Sequence, residues 1–394
     1  MIGGDWMIWF ALLPVLWAAV LASVSLEALR RYARRRSREL PETISSKPTP
    51  ALIIRPCAGA EPHLERALAS LRDALSTSIL RCRFAIASAA DAALPAARRA
   101  CETLRAAGID AEIVITGAEG PNRKAAQIEA VLAREGEVSG PILIADSDVD
   151  LAGVRLDALI HPLMSGDADA VWAPPVERDA AATFGDRASV ALLAGSLHAF
   201  PLLAALDERG LVGKLFSVRG DALRAAGGFA SLTQILGEDI ELSRRIQARG
   251  GSVRVAPFAV QSLASGRSFT QVVERYARWL VIIRAQRPWL LASYPALFFA
   301  SPILLALSAL AAPIAPAAAL TAALLTLGSR LSLAVAAARA AGRRVTPGAV
   351  LTDILLADVL LALAFARALR TRTVVWRSTV LTVDRSGVLR ERAV

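Results

Sequence analysis

Apolar residues follow two patterns along this chain, long unbroken runs and short alternating ones. Three runs are almost uninterrupted and long enough to cross the roughly 30 Å hydrocarbon core of a bilayer as helices: residues 6–26, 289–311 and 315–338. The first run follows Asp5 and precedes a series of arginines, whereas a cleaved signal peptide would begin with basic residues. We therefore expect a retained membrane helix at the N-terminus and an antiparallel helix pair near the C-terminus.

A fourth apolar run, residues 350–369, contains Asp353, Asp358 and Arg367. Charged side chains are costly inside a bilayer, so two interpretations remain open: a third C-terminal span, or an interfacial or re-entrant segment. A full crossing would put several later arginines outside the cell, against the positive-inside rule. This bias favours the interfacial or re-entrant form.

Short apolar runs alternate with helical segments between residues 51 and 260, which is typical of βα units. The strand-like runs are residues 51–54, 84–87, 113–116, 142–145, 168–173 and 253–256. The pattern predicts a mostly parallel sheet covered by helices, with ligands beyond the carboxyl ends of the strands. No G-x-G-x-x-G or Walker sequence occurs, so a Rossmann cofactor or a P-loop nucleotide has no support.

An apolar insert at residues 188–206 is too short to predict a span from the sequence. It has two interpretations: a segment in the leaflet beside an acceptor entrance, or a buried helix of the globular domain.

Composition indicates a globular domain attached to a membrane. Of the 394 residues, 55% are hydrophobic and 20% are charged, and the mean hydropathy is +0.46. The net charge of +10 comes almost wholly from arginine, because Lys47, Lys124 and Lys214 are the only lysines. Arginines flank the apolar runs at residues 30–38 and 339–344, where they face the cytoplasm by the positive-inside rule and favour anionic lipid. We expect no nucleic-acid partner, since no basic stripe is interleaved with aromatic residues.

Three cysteines and three histidines make a zinc site or a disulfide framework a poor interpretation, because neither set has metal-ligand spacing. The cysteines fit a reducing compartment and ordinary packing.

Carboxylates stand where the strand pattern places a ligand. Asp146 and Asp148 follow the apolar run 142–145 directly, and such a pair can hold Mg²⁺ or Mn²⁺ against a diphosphate. Asp239, after Gly237, could act as a general base on a hydroxyl. Each carboxylate also has a simpler interpretation, as a solvated residue at a strand end or an acid favoured at a helix N-terminus.

Basic residues form two further candidate groups. Arg275, Arg278 and Trp279 lie on an amphipathic stretch at residues 269–286, and a guanidinium fork suits a diphosphate leaving group. Lys124 opens a helix whose N-terminus attracts anions. The simpler interpretations are arginines that reach from the membrane to water and a solvated helix start.

The order of these motifs resembles the ceramide glucosyltransferase family of GT-A glycosyltransferases, with its relatives that act on hopanoid lipids. The resemblance covers nearly the whole chain, from the N-terminal span to the tail around Trp376. The motifs that carry it are the opening at residues 53–65, Asn122-Arg123-Lys124, Asp146-Ser147-Asp148, residues 213–229, Gly237-Glu238-Asp239 and Arg275-x-x-Arg278-Trp279.

The resemblance implies a GT-A, Rossmann-like α/β fold and an inverting transfer of a hexose from a UDP-sugar to the hydroxyl of a lipid. It gives Asp239 the role of the base, and Asp146 and Asp148 the metal and diphosphate motif. The nucleotide-sugar contacts would come from Asp91 at the uracil and ribose, from Lys124, and from the diphosphate-binding motif Arg275, Arg278 and Trp279. The implied partners are a UDP-sugar, a ceramide- or hopanoid-type lipid and the bilayer, with Mg²⁺ or Mn²⁺ as cofactor.

Other interpretations remain at this stage. An apolar strand followed by Asp-x-Asp is also the signature of a phosphatase of the haloacid dehalogenase type, in which Asp146 would be the nucleophile. A non-catalytic membrane protein that binds nucleotide sugars and a processive polysaccharide synthase are further alternatives.

The predicted organisation places a cytoplasmic catalytic domain on a multi-pass protein of the bacterial inner membrane. Its predicted parts are an N-terminal transmembrane helix, a basic juxtamembrane segment with a linker, a GT-A domain with an interfacial helix, C-terminal membrane helices and a small hairpin or tail: residues 1–28, 29–50, 51–288, 289–370 and 371–394.

Overall fold

The computed structural model describes most of the chain. The described residues are 5–37, 48–177, 182–376, 379–384 and 388–391. Most of the predicted linker, residues 38–47, and the first four residues of the predicted N-terminal span therefore lie outside the described residues. The predicted domain boundaries stay predictions.

Strands and helices alternate through the first two thirds of the chain, and helices dominate the rest. The strands are β1 (Pro50–Cys57), β2 (Ile79–Ile86), β3 (Asp110–Ile115), β4 (Ile142–Ala145), β5 (Val149–Asp150), β6 (Ala170–Trp172), β7 (Pro175–Glu177), β8 (Leu215–Val218), β9 (Val253–Val255), β10 (Val260–Ser262), β11 (Thr373–Trp376), β12 (Thr379–Val383) and β13 (Leu389–Glu391). The helices are α1 (Asp5–Arg36), α2 (Leu64–Ala69), α3 (Leu94–Ala106), α4 (Arg123–Glu135), α5 (Asp157–Met164), α6 (Phe184–Gly195), α7 (Phe200–Leu206), α8 (Gly220–Ala225), α9 (Glu238–Ala248), α10 (Phe269–Gln286), α11 (Pro288–Ala292), α12 (Tyr294–Leu297), α13 (Ala300–Ala311), α14 (Pro316–Ala340) and α15 (Pro347–Arg370). Two 3-10 turns lie at Ser70–Asp73 and Ala230–Leu232.

A seven-stranded sheet with the order β3-β2-β1-β4-β8-β6-β9 forms the centre of the globular region. Its strands pair in parallel except β8, which runs antiparallel to both β4 and β6. The expected mostly parallel α/β sheet is therefore confirmed. Strand β8 was not predicted from the sequence. Its four residues are all buried, and so short a segment shows no hydrophobic periodicity that distinguishes a strand from a loop.

The central strands are buried on both faces, which explains their continuous apolar sequences. Successive side chains point to opposite faces: Ile53 packs among residues of α2, α3 and α5, whereas Ile54 packs among residues of α4 and α9. Phe216 of β8 lies on the same face as Ile54. Strand β10 joins β5 and β7 in a separate sheet beside the ends of β4 and β6.

Four segments of the described chain are long and apolar enough to cross a membrane, by length and composition: Leu12–Arg36, Phe184–Leu206, Pro316–Ala340 and Pro347–Arg370. The second contains α6 and α7 and is 89% buried. It packs against α10, α14 and α15. Residues 188–206 are therefore buried, but partly against helices that could themselves cross a membrane, so both interpretations stay predictions.

The expected continuous span over residues 289–311 is wrong. The segment divides into α11, α12 and α13, since Pro288, Pro295 and Pro302 each fall in the first turn of a helix and lack the N–H that would continue the preceding one. Helix α13 has 12 residues and rises about 18 Å, less than the hydrocarbon core.

Helix α15 is unbroken over 24 residues, so the re-entrant form expected as one alternative is wrong. Its first turns contact α6 through the ion pair of Asp353 with Arg187, and its last turn contacts α10 through the pair of Arg367 with Glu274. Full crossing and interfacial placement both stay predictions. After α15, strands β11, β12 and β13 form an antiparallel sheet, and the Leu389 N–H donates to the Gln234 carbonyl ahead of α9.

Candidate active site

A cavity of about 590 Å³ lies beyond the carboxyl ends of β1, β2 and β4 and extends along α7 and α10. It is where the strand pattern places a ligand. All the site residues expected from the sequence line it: Asp91, Lys124, Asp146, Asp148, Asp239, Arg275, Arg278 and Trp279.

Pairing between β4 and β8 sets the position of the two aspartates relative to Lys214. Ala145 pairs with Leu215, the first residue of β8. Lys214, which precedes this strand, therefore lies opposite Asp146, and the Asp146 N–H donates to the Lys214 carbonyl at 2.9 Å. The Lys214 ammonium lies 2.6 Å from both carboxylate oxygens of Asp148 and 3.3 Å from Oδ2 of Asp146. One cation thus holds both carboxylates of the pair.

Asp148 is only 8% exposed and also accepts a hydrogen bond from Ser262 Oγ at 2.7 Å. Burial raises the pKa of this carboxyl, but the charge and hydrogen bonds of Lys214, with the Ser262 hydroxyl, outweigh burial and hold the pKa well below its ordinary value. Asp148 is therefore ionised throughout the physiological pH range.

Lys124 joins the aspartate pair to the start of α9. Its ammonium lies 2.8 Å from Asp146 Oδ1 and 3.3 Å from Glu238 Oε1, and it donates to the Gly213 carbonyl at 2.9 Å. Burial lowers the pKa of Lys124, but the surrounding carboxylates raise it above its ordinary value. Asn122 orders this region: its Oδ1 caps α4 by accepting from the Ala125 N–H, and its Nδ2 donates to Glu238.

Asp239 lies in the first turn of α9, after Gly237 in the left-handed region with φ 77°. Its Oδ2 accepts from the Gly213 N–H at 2.6 Å, and its Oδ1 accepts from the Ile240 N–H at 2.8 Å. Burial and the neighbouring Glu238 charge raise the pKa of Asp239 to about 6, against the lowering effect of Lys124. A carboxylate with this pKa suits a general base near neutral pH.

Gly213 permits this approach because it has no side chain. A Cβ at that position would lie 2.9 Å from Asp239 Oδ2 and 3.0 Å from the Lys124 ammonium. Gly213 therefore allows Asp239 and Lys124 to approach the backbone of the site closely.

Arg275, Arg278 and Trp279 share one face of α10, since residues three and four apart are neighbours on a helix. Arg275 donates to Glu177 Oε1 at 3.0 Å, and its guanidinium lies 5.1 Å from the centre of the Trp279 ring. Arg267 also donates to both oxygens of Glu177 at 2.9 Å. Glu177 was not predicted as a site residue, because it lies 98 residues before Arg275 in the chain and no local pattern connects the two.

Asp91 lies at the ends of β1 and β2. Its Oδ1 accepts from the Gly59 N–H at 2.7 Å and from the Ala93 N–H at 2.9 Å. Asp91 therefore connects two loops of the cavity wall. It has no ion pair with Lys124 or Lys214 among the contacts of the described residues.

The far end of the cavity is apolar and aromatic. His198, Phe200, Tyr294 and Phe298 line it, and the His198 ring lies 4.4 Å from the Phe298 ring, centre to centre. These residues come from α7, α12 and the chain beside them. One cavity therefore joins a charged end to an apolar end.

The charged end fits the expected divalent cation. Within the described ranges, no group of three or more His, Cys, Asp or Glu side chains could hold a metal ion. Mg²⁺, however, commonly binds through one or two carboxylates together with substrate phosphates, and Asp146 and Asp148 already share one cation in Lys214. A metal and the Lys214 ammonium would compete for the same oxygens.

The mixed α/β sheet, with an Asp-x-Asp pair after a central strand, an acidic helix start and two arginines on a neighbouring helix, has the features expected of a glycosyltransferase domain. The chain belongs to glycosyl transferase family 21, whose family model matches residues 15–389. The family expected from the motifs and the α/β fold class with apolar helices are thereby confirmed, and the protein is a glycosyltransferase.

Solved structures of other glycosyltransferases are more distantly similar. The mannosyltransferase PcManGT from Pyrobaculum calidifontis, in complex with GDP-Man and Mn²⁺, is 18% identical, with a TM-score of 0.47 over 91% of this chain and 98% of that one. Glucosyl-3-phosphoglycerate synthase from Mycobacterium tuberculosis, in complex with Mn²⁺, UDP-glucose and phosphoglyceric acid, is 15% identical, with a TM-score of 0.37 over 62% and 85%. No curated protein matches this chain.

Two further charged residues, Glu238 and Lys214, stood within the family motifs but were not predicted as site residues. Glu238 contacts Lys124, and Lys214 contacts Asp148. The sequence did contain one indication of Lys214. The chain has only three lysines, and two of them lie in this site.

Proposed function

We propose that this family 21 glycosyltransferase transfers a hexose from a UDP-sugar to the hydroxyl of a membrane lipid of the ceramide or hopanoid type, with inversion at the anomeric carbon. The observation that carries the proposal is the single cavity that leads from the carboxylates to an aromatic, apolar end. A nucleotide sugar suits the first end and a lipid suits the second.

Asp239 is the proposed base. Its carboxylate removes the proton of the lipid hydroxyl, the hydroxyl oxygen attacks the anomeric carbon, and the bond to the UDP oxygen breaks in the same displacement. Two backbone N–H groups, from Gly213 and Ile240, hold the carboxylate in one orientation. Its pKa of about 6 leaves it deprotonated at neutral pH.

The departing diphosphate is the proposed ligand of the positively charged side chains. Lys124, Lys214, Arg275 and Arg278 line the cavity, and fixed cations near developing charge supply a large share of such a rate. Asp146 and Asp148 would hold Mg²⁺ or Mn²⁺, which when bound would neutralise diphosphate charge. Asp91 at the β1 and β2 ends is the proposed contact of the uracil and ribose.

The lipid is proposed to enter from the bilayer side. Tyr294 and Phe298 belong to the segment that leads into α13, and α14 and α15 beyond it are long and apolar enough to cross a membrane. The arginines at residues 30–38 and 339–344 support the proposal that the catalytic domain lies on the cytoplasmic face of a bacterial inner membrane. Trp279, which lines the cavity, is proposed to contact the acceptor.

The test is to incubate the full-length protein in bilayer nanodiscs with a panel of UDP-sugars and a total lipid extract, with Mg²⁺ and with a chelator. We expect one hexose to be added to a lipid, detected by mass spectrometry, and the product to be lost with chelator. Free phosphate without a glycolipid would favour the phosphatase alternative. A polymer of sugars would favour the processive synthase, and donor binding without product would favour the non-catalytic protein.

A further inference from the structure

A second cavity, of about 290 Å³, lies where the C-terminal ends of α1 and α14 meet the globular region. The residues that line it come from α1, from the α14 terminus and from the segments around β7 and β10. They are Tyr32, Arg35, Arg36, Pro174, Val176, Pro201, residues 256–259, Gln261 and residues 339–342, of which the first is Arg339. The pocket is separate from the glycosyltransferase site, with which it shares no lining residue.

The pocket is strongly basic. Arg35, Arg36 and Arg339 line it, and no aspartate or glutamate does. Arg36 and Arg339 are exposed, so their guanidinium groups are accessible to a ligand.

Arg35 gives the pocket a built anion partner. The residue is only 8% exposed, and its Nη2 donates to the Ala204 carbonyl at 3.0 Å and to Glu208 Oε1 at 2.7 Å. Its Nη1 is buried and has no hydrogen-bond partner among the described residues. A buried guanidinium with an unpaired donor is costly, and the charge of an anion bound in the pocket would offset part of this cost.

The surfaces next to the pocket are those of membrane helices. Helices α1 and α14 pack against each other, and both end at the pocket in arginines. Both helices expose large apolar residues, of which Leu26 of α1 and Leu331 of α14 lie about 15 Å and about 12 Å along the helix axes from Arg36 and Arg339. An apolar helix surface within this distance of a basic pocket fits a molecule that has both acyl chains and an anionic group.

We propose that this pocket binds the phosphodiester headgroup of an anionic glycerophospholipid, with its acyl chains along α1 and α14. Guanidinium forks match phosphate oxygens in pairs, and basic pockets between membrane helices on the cytoplasmic side are suited to such headgroups. A free phosphate would use the same arginines, but the adjoining apolar surface gives it nothing further to contact. The site goes beyond sugar transfer, and its occupancy is measured without turnover.

The test is native mass spectrometry of the full-length protein in detergent, titrated with phosphatidylglycerol and separately with phosphatidylcholine. The variant R36Q/R339Q removes two exposed charges from the pocket. The matched control R34Q/R344Q removes two exposed arginine charges from the same helix ends outside the pocket lining. We expect preferential binding of one phosphatidylglycerol, weakened about tenfold in R36Q/R339Q and unchanged in R34Q/R344Q.

Equal weakening in both variants would overturn the proposal, because it would show general attraction to a basic surface. Equal binding of phosphatidylcholine would overturn it as well, as would inorganic phosphate that binds as tightly as phosphatidylglycerol. If the double variant is poorly folded, the single change Arg339→Gln at an exposed position gives the same test, with an expected weakening of about threefold.

Discussion

Two of the clusters of buried charge in this glycosyltransferase differ in charge balance and in access to the large cavity. In the site cluster, four carboxylates (Asp146, Asp148, Glu238 and Asp239) face two lysines, Lys124 and Lys214, and all six line the large cavity. In the bundle cluster, Asp353 of α15 lies between Arg187 and Arg343 and is only 2% exposed. The first cluster opens onto the cavity and has four carboxylates for two lysines, whereas the second is closed and has one carboxylate for two arginines.

The difference indicates what each cluster is for. The four carboxylates repel a diphosphate, and this repulsion would be offset by Arg275 and Arg278 of the same cavity together with the divalent metal proposed at Asp146 and Asp148. A closed cluster has no room for a ligand, so the pairs of Asp353 serve to join α15 to α6 and to the end of α14.

Each cluster also depends on one glycine. A Cβ at Gly213 would lie 2.9 Å from Asp239 Oδ2, and a Cβ at Gly195 of α6 would lie 2.3 Å from the Asp353 carbonyl oxygen. Substituting the members of each cluster should therefore separate effects on catalysis from effects on stability.

The largest effect should come from Asp239→Asn. Loss of the base should reduce kcat by about 10²–10⁴-fold, because the amide cannot take the hydroxyl proton. UDP binding, measured by isothermal titration calorimetry, should persist. The control Asp207→Asn changes a carboxylate that lines the same cavity but pairs with Arg209 and Arg287, and it should retain most activity. Equal turnover of Asp239→Asn and the unsubstituted protein would show that another group is the base.

Asp353→Asn should act on stability instead of turnover. It leaves Arg187 and Arg343 facing a neutral amide in a buried position, and breaking a buried pair in this way costs about 3 kcal/mol. The thermal unfolding midpoint of the detergent-solubilised protein should fall, while kcat per folded molecule should stay within about twofold of the unsubstituted value. A selective loss of kcat at unchanged stability would connect the bundle cluster to catalysis and remove the contrast.

Gly213→Ala should lower activity by about a hundredfold, because an added methyl group displaces Asp239 and Lys124 and small displacements of reacting groups have effects of this size. Gly195→Ala should mainly lower the unfolding midpoint. Gly210→Ala is the matched control in the same cavity, since its Cβ would come no closer than 3.8 Å to the Asp207 carbonyl oxygen. Similar kinetics for the variants at positions 213 and 210 would mean that the close approach to Asp239 has no role.

The pH dependence separates two carboxylates of the site cluster. Asp239 works deprotonated and its pKa is raised to about 6, so kcat/KM should fall about tenfold per pH unit well below pH 6. Asp148, whose pKa is held low by Lys214, should contribute no limb in that range. The residual activity of Asp239→Asn should lack the limb near pH 6. A limb that persists in that variant would belong to another group.

Local sequence pattern predicted those parts of the molecule whose geometry depends on neighbouring residues. Residues 269–286 were predicted as an amphipathic stretch and form α10 with those bounds. Asp146 and Asp148 were expected at a strand end because the apolar run 142–145 stops just before them, and it is β4.

What the sequence did not predict depends on pairing between distant segments. Lys214 reaches Asp148 because β8 runs antiparallel beside β4, and no local signal specifies that neighbour. Glu177 of β7 contacts Arg275 of α10 although 98 residues separate them along the chain. The division of residues 289–311 into short helices was missed, although the three prolines that start them were visible in the sequence.

Lys214→Met should give the smallest and most specific effect. Its ammonium holds both oxygens of Asp148 at 2.6 Å, so its removal should free these oxygens for a metal and tighten Mn²⁺ binding in the presence of UDP by several-fold to about tenfold. Titration of free Mn²⁺ by electron paramagnetic resonance measures this without turnover. Lys124→Met is the comparison, because its ammonium contacts Asp146 and Glu238 but has no contact with Asp148 at hydrogen-bond distance in the described chain, and the gain in affinity should be smaller. If Lys214→Met instead weakens Mn²⁺ binding, the lysine supports the metal site and does not compete with the metal. The carboxylates of the site cluster would then hold the lysine and the metal together.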